Sequence, residues 1–310
     1  MYFVTHSFFF YEIYTVTNQK HTPKKQQEYY DNVTFTKQAQ ELETILRTSF
    51  PKCKKFDIIG FSLGARLSLA TIASSPTLIR KAHLTGVGLE RSPFAKLVIH
   101  SWKDILLSSR EGSSRRASAS SSTSGDVDGG GHNSTITHTP SLRAFAWSII
   151  MTTYSQEFLA LNGADKVSLW VDHICRNNNH MGLLKLLEQT HGDAIEINAT
   201  PLNNNSNRGD DDDYNLKLSL SSNNEMINIV EQIKRNNLNQ GGRAITVGQI
   251  HMGEMDKIST IHQAQELSEY IGWNDIDNSD NGVITYKGCG HAVMNEDGRI
   301  WRRNVLDYLK

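Results

Sequence analysis

Residues 56–73 constrain the fold more than any other stretch of the chain. Phe56-Asp57-Ile58-Ile59 has strand character, Gly60-Phe61-Ser62-Leu63-Gly64 follows, and Ala65-Arg66-Leu67-Ser68-Leu69-Ala70 has the composition of a helix. G-x-S-x-G alone is a common pentapeptide. Between a strand and a helix it is a nucleophile elbow, a sharp turn that lifts the serine hydroxyl above the sheet. Gly60 and Gly64 belong to the turn because strand and helix backbones pass too close there for a Cβ. The first N–H groups of the helix then face any anion formed at Ser62.

The surrounding pattern is that of a parallel α/β sheet. Phe35, Ala39, Leu42, Leu46 and Phe50 form one apolar stripe at helical spacing, and Pro51 ends it. A helix leading straight into the elbow strand is the βαβ rhythm. A buried strand is expected over 82–88. The rhythm returns with a helix carrying Met226, Ile229, Val230 and Ile233 and a strand at 244–250. A helix over 259–270, a strand at 282–286 and a closing helix with Trp301, Val305, Leu306 and Leu309 inward complete it. His83 and His251 fall inside strand-like runs and read as packed side chains.

Residues 93–224 break the alternation. Helical patterns at 93–107, 142–150, 154–161, 165–175 and 180–189 read as a cap inserted into the core, which occupies 35–92 and 225–310. Two polar stretches, 108–139 and 201–224, hold too little apolar surface to order themselves. The first contains Arg115-Arg116-Ala117-Ser118, which reads as an inert loop rather than a kinase site. The second contains Asp210-Asp211-Asp212-Asp213, a solvated charge run without the alternating ligands of a calcium loop. Residues 1–34 are poorly defined. Their aromatic run Phe8-Phe9-Phe10-Tyr11 is too short to span a bilayer, and its β-branched and aromatic content allows one strand.

The net charge of −1, from 32 basic and 33 acidic residues, gives no field favouring nucleic acid or an anionic membrane. Cys53, Cys175 and Cys289 are too few and scattered for a disulfide framework or a zinc site, so no metal or cofactor is expected. Reduced thiols and the missing signal-peptide pattern lead to an expected intracellular setting, cytoplasm or organelle. The expected partner is a small acyl substrate.

The order of elbow serine, Gly253-Glu254-Met255-Asp256 after a strand, and Gly290-His291 after the last strand resembles the α/β-hydrolase superfamily. The resemblance covers 35–100 and 225–310 and implies a mostly parallel sheet with a helical cap. Carried over by position, Ser62 is the nucleophile, His291 the general base and Asp256 the acid that orients the imidazole. Glu90 is the substitute acid, and Asp256 could instead cap the next helix. The residue types suit the chemistry, because a serine hydroxyl needs a base in reach and the base needs a carboxylate to set its tautomer. Leu63 N–H is the first oxyanion donor. Phe61, Arg66, Trp102 and Trp147 are candidate substrate contacts, and Phe145 and Trp170 add to an apolar cap. Cys289 reads as a small filler beside a tight loop.

The resemblance also implies several strands before the elbow and a His-Gly loop supplying a second oxyanion donor. Neither is found. The elbow strand is expected to lack its usual neighbour unless segment 2–16 pairs there, and the chain is expected to be a truncated product of a longer hydrolase. Serine in place of an aspartate nucleophile implies ester or thioester hydrolysis. Gly60-Phe61-Ser62-Leu63-Gly64-Ala65-Arg66 is also similar to the elbow of menaquinone-pathway cyclohexadiene-carboxylate synthases, which implies a carbon–oxygen lyase. A non-catalytic relic using its cap groove for binding is the third reading.

Overall fold

Among the described residues five strands form one sheet in sequence order, each parallel to the next: β1 (Tyr2–Thr5), β2 (Phe56–Phe61), β3 (Ile79–Thr85), β4 (Val247–Gly253) and β5 (Gly282–Tyr286). The computed structural model describes residues 2–5, 34–116, 139–178, 180–190, 225–239, 241, 244–273 and 282–310. Tyr2–Thr5 supplies a neighbour for the elbow strand. β1 covers the edge of β2 with Tyr2 opposite Asp57 and Thr5 opposite Gly60. Of the two expectations for the elbow strand, no neighbour or pairing with the N-terminal segment, the second holds through Tyr2–Thr5. The signal was weak because a four-residue strand has no periodicity of its own, and only its pairing partner defines it.

The topology dictates where the helices lie. With strands added in one direction and right-handed crossovers, every connecting helix falls on the same face. That face carries α1 (Phe35–Ser49), α2 (Leu63–Ser74), and, from later in the chain, helices Glu225–Asn239 and Ile261–Tyr270. Ala39, Leu46, Leu67, Leu69, Val230, Ile233, Ala264 and Leu267 bury there against Ile58, Ala82, Leu84 and Ile250 of the strands. Thr34 caps α1 by accepting from Lys37 N at 3.1 Å.

The cap follows β3. It comprises α3 (Pro93–Arg116), α4 (Pro140–Thr153), α5 (Gln156–Asn177) and α6 (His180–Thr190), with its own core around Leu106, Phe145, Ile150, Val171 and Leu184. Gly163 breaks α5 at φ 74° and ψ 162°, so the two helical patterns of the sequence remain distinct. α3 runs to Arg116, past the expected end near Ser108, since extending a formed helix adds one hydrogen bond per residue ordered. The tetra-aspartate, Ser118 and the remainder of both polar stretches lie outside the described residues.

The chain returns through α7 (Glu225–Asn239), β4, α8 (Ile261–Tyr270) and β5, then ends in α9 (Val293–Glu296) and α10 (Gly298–Leu309). α10 is not a crossover and takes the opposite face. Lys81 Nζ donates to Tyr308 O at 2.6 Å, and Trp301 Nε1 donates to Thr85 Oγ1 at 3.1 Å. Tyr308 and not Leu306 is the inward residue of this helix, Leu306 being 50% exposed. Strands β3 and β4 are also shifted by about three residues from their expected limits. For β4 the cause is visible: Thr246 Oγ1 bonds Ile79 O at 2.9 Å and its own carbonyl accepts from Trp273 Nε1 at 2.8 Å, so the chain bends before pairing.

Beneath α10, His83 and His251 are fully buried with ring centroids 3.8 Å apart. His251 Nδ1 pairs with Tyr286 Oη at 2.6 Å, while neither ring nitrogen of His83 has a protein partner. Burial holds His83 down at about 3, and burial followed by the neighbouring His83 holds His251 well below its ordinary value. Both titrate near 6.5 once unfolded, so the unfolded state binds more protons below that pH. Stability is therefore full above pH 6.5 and falls toward pH 3, by up to about 1.4 kcal/mol per pH unit for each histidine. A denaturant series from pH 7 to pH 4.5 measures this, and an unchanged midpoint would count against it.

Candidate active site

The elbow is where the sequence places it. Ser62 has φ 50° and ψ −111°, the only positive φ at a non-glycine among the described residues. Such a conformation costs roughly 1–3 kcal/mol and persists only where the surroundings impose it. The surroundings here are the bond from Ser62 N to Thr85 O at 2.8 Å, the helix starting at Leu63, and the close approach at Gly60. A Cβ on Gly60 would lie 2.7 Å from Ala65 Cα and 2.8 Å from Gly64 O, both backbone atoms.

His291 and Asp256, expected from sequence as base and orienting acid, meet. His291, in the loop after β5, donates from Nδ1 to Asp256 Oδ2 at 2.7 Å, and both side chains are almost wholly shielded from solvent. Asp256 does not cap the next helix, the alternative that its position suggested, but closes the loop ahead of it. Its Oδ1 accepts from Ile258 N at 2.8 Å and Ser259 N at 3.0 Å, while helix α8 itself is capped by Thr260 and Gln263. One carboxylate oxygen fixes the loop and the other fixes the imidazole. Glu90, the substitute acid, does not line the cavity described next.

Ser62 and His291 line the same cavity, at the C-terminal edge of the sheet where open parallel sheets place their sites. His291 Nε2 is buried and makes no hydrogen bond, so it is the nitrogen left to accept a proton. No hydrogen bond yet joins it to Ser62 Oγ; such bonds tighten when substrate is bound. Phe61 packs on the imidazole with ring centroids 5.1 Å apart. Gly86, at φ +67°, forms the seat of the ring, and a Cβ there would stand 2.6 Å from His291 Cε1.

Leu63 lines the cavity as the first residue of its helix, where the N–H has no carbonyl a turn earlier. The described residues hold no His-Gly loop to supply a second donor. β1 ends at Thr5, level with Gly60, and the chain beyond it is outside the described residues. Of the substrate contacts expected from sequence, Phe61, Arg66 and Trp102 line the cavity. Trp147 does not and packs against the cap core. α4 turns Ile149 and Thr153, four residues apart, toward the cavity, and Trp147 lies roughly 200° around the helix from Ile149. Phe145 is likewise core, and Trp170 stacks on Phe158 at 6.0 Å.

Arg91, Ser259 and Gly86 were not singled out by sequence, yet all three line the cavity. Gly86 carried a signal, as a glycine directly after a strand. Arg91 carried none, because its contribution depends on where the first cap helix sets off. Cys289 is buried beside the His291 loop, and burial, ahead of the charges of Glu296 and Asp297, pushes its thiol up to about 11, so it stays protonated.

No protein-family model matches the sequence, and no curated protein matches it either. Solved structures do. An α/β-hydrolase enzyme from a Medee basin deep-sea metagenome superposes with a TM-score of 0.56 at 16% identity, over 89% of this chain and 72% of its own. An acetylester hydrolase from Corynebacterium glutamicum gives 0.55 at 10% identity, over 90% and 68%. The chain has the α/β-hydrolase fold. An enol-lactonase from Burkholderia xenovorans, at 0.52 and 11% identity over 89% and 73%, widens the range of enzymes that share it. Identities this low carry the α/β-hydrolase architecture and not the reaction. Among the described residues no helix is long and apolar enough to cross a membrane.

Proposed function

We propose that this chain is a serine hydrolase acting on a carboxylic ester or thioester through an acyl-enzyme. The observation that carries the reading is the buried Asp256–His291 pair opening onto the cavity that holds Ser62 at a strained strand-to-helix turn. Ser62 Oγ attacks the acyl carbon while His291 Nε2 takes its proton. Asp256 holds the imidazolium, and Leu63 N–H binds the oxyanion. His291 returns the proton to the departing alcohol or thiol. It then takes one from water, which attacks the acyl carbon, and passes it to Ser62 Oγ as the acyl C–O bond breaks and the acid leaves.

The cavity selects for shape and charge. Phe61, Ile99, Trp102, Ile149 and Leu187 offer apolar walls, and two cationic residues, Arg66 and Arg91, complete the lining. We therefore propose an acyl substrate that carries an anionic group. Exchanging Arg91 for methionine should lower kcat/KM for a p-nitrophenyl succinate monoester about tenfold more than for the acetyl ester, the worth of one charge-assisted hydrogen bond. Equal losses on both esters would remove the anionic preference.

The two arginines also support a second reading. In a carbon–oxygen lyase of the menaquinone-pathway kind, the same histidine removes a carbon-bound proton and a C–O bond of a carboxylated substrate breaks. Labelling with a fluorophosphonate and mapping the modified peptide tests both. A tag on Ser62 with burst release from p-nitrophenyl esters supports the hydrolase. A tag on Ser62 without ester turnover favours the lyase, and folded protein that takes no tag leaves a non-catalytic binding protein.

A further inference from the structure

The loop that carries His291 is fastened to the cap as well as to the core. On the core side, Met255 N donates to Cys289 O at 2.8 Å and Glu254 N to Tyr286 O at 2.9 Å. On the cap side, contact is made by the junction between α4 and α5, residues Thr153 to Ser155. Ala292 N donates to Thr153 O at 3.1 Å, and Asn295 Nδ2 donates to Tyr154 Oη at 2.7 Å. The two backbones touch. A Cβ on Gly290 would lie 2.8 Å from both Thr153 O and Ser155 N.

Glu296 joins the two sides. Its Oε1 accepts from Gly290 N, directly before the base, at 2.9 Å. Its Oε2 accepts from Ser155 N at 3.1 Å and also from the Ser155 hydroxyl. Burial raises this carboxyl and the charge of Asp256 adds to the rise, while the Ser155 and Gly290 bonds oppose it. The carboxylate thus meets three donors, two from the cap and one from the base's own loop.

We propose that Glu296 is a positioning residue that makes the docking of the Thr153–Ser155 junction and the placement of His291 a single event. The proposal rests on the reading of Ser62 and His291 as nucleophile and base. With the cap seated, Gly290 is held from both ends, and the imidazole keeps its line toward Ser62. With the cap lifted, Glu296 loses two of its three donors and the loop loses its outer anchor. The same cap helices wall the cavity through Ile99, Trp102, Ile149 and Thr153, so seating the cap encloses the substrate and sets the base together.

Exchanging Glu296 for glutamine isolates the effect. A carboxamide has the same shape but one acceptor oxygen, and its NH2 must then face either Gly290 N–H or Ser155 N–H, donor against donor. Fluorophosphonate labelling separates positioning from folding. Its endpoint counts folded molecules with Ser62 accessible, and its second-order rate reports how well the base activates Ser62. Glu296→Gln should keep the wild-type endpoint and label at least about tenfold more slowly. Ser155→Ala, which removes the hydroxyl bond to Glu296 together with the α5 cap bond from Phe158 N and leaves the Ser155 N–H bond, should slow labelling by a smaller factor. The double variant should be no slower than Glu296→Gln, because both break the same link. A wild-type rate in Glu296→Gln, or losses that multiply in the double variant, overturns the proposal. Should Glu296→Gln not fold, Ser155→Ala decides by itself, and a wild-type rate overturns the proposal. A wild type that takes no label at Ser62 refutes the reading beneath it, which is a different result from a labelled wild type with a normal Glu296→Gln rate.

Discussion

Replacing Ser62 by alanine removes fluorophosphonate labelling and lowers ester turnover by on the order of 10⁵- to 10⁶-fold, the loss seen when a triad nucleophile is deleted. The size follows from what remains. Without the hydroxyl no acyl-enzyme forms, and His291 can only assist a water that nothing holds in place. Stability moves the other way or stays level. The turn at Ser62 has φ 50°, and alanine tolerates that conformation no better than serine, so the strain persists while no buried hydrogen bond of the side chain is lost. Thermal midpoints and esterase rates on the same preparation check this. Turnover within about tenfold of wild type would assign the activity to another residue, since full removal of a nucleophile leaves far less.

Asp256→Asn lowers kcat by about 10⁴, with little effect on KM. The reason lies in how the carboxylate divides its work. Oδ1 accepts from Ile258 N and Ser259 N, and Oδ2 accepts from His291 Nδ1. An asparagine oxygen that stays on the two backbone N–H groups turns its NH2 toward His291. The imidazole then presents a lone pair at Nδ1 and carries its proton on Nε2, the nitrogen that must be empty to receive the proton of Ser62. If the amide flips, the two backbone donors are stranded in a buried loop at about 1–3 kcal/mol each. The first arrangement disables the base while the cavity keeps its shape, and the second is disfavoured by its cost in stability, so the first sets the rate. A variant with its kcat intact would show that the acid lies elsewhere, and Glu90, just past β3, would be the residue to mutate next.

The residues that carry the proposed chemistry were legible for a local reason. Ser62, Asp256 and His291 each follow a strand within a few positions, and strand-then-motif is a pattern of consecutive residues that needs no knowledge of the rest of the chain. The α1 stripe Ala39, Leu42 and Leu46 was legible for the same reason, being one helix face in one stretch. Trp147 failed because its type drew attention while its helical phase pointed it away from the cavity that Ile149 and Thr153 reach. Leu306 failed likewise, with the Tyr308 ring turned inward against His83 and Lys81 on the sheet. Strand limits slipped at β4 because Trp273, far along the chain, holds Thr246 out of the ladder.

The amino-acid sequence by itself determined the elbow, the order of serine, aspartate and histidine along the chain, and the alternation of strand and helix. These depend on spacing among near neighbours. Only the tertiary structure decided that Tyr2–Thr5 covers the elbow strand, that Arg91 joins Arg66 at the cavity, and that Glu296 ties the base's loop to the cap. Each of those is a meeting of segments remote in sequence, set by crossover handedness, strand register and the seating of one helical layer on another, none of which leaves a local trace.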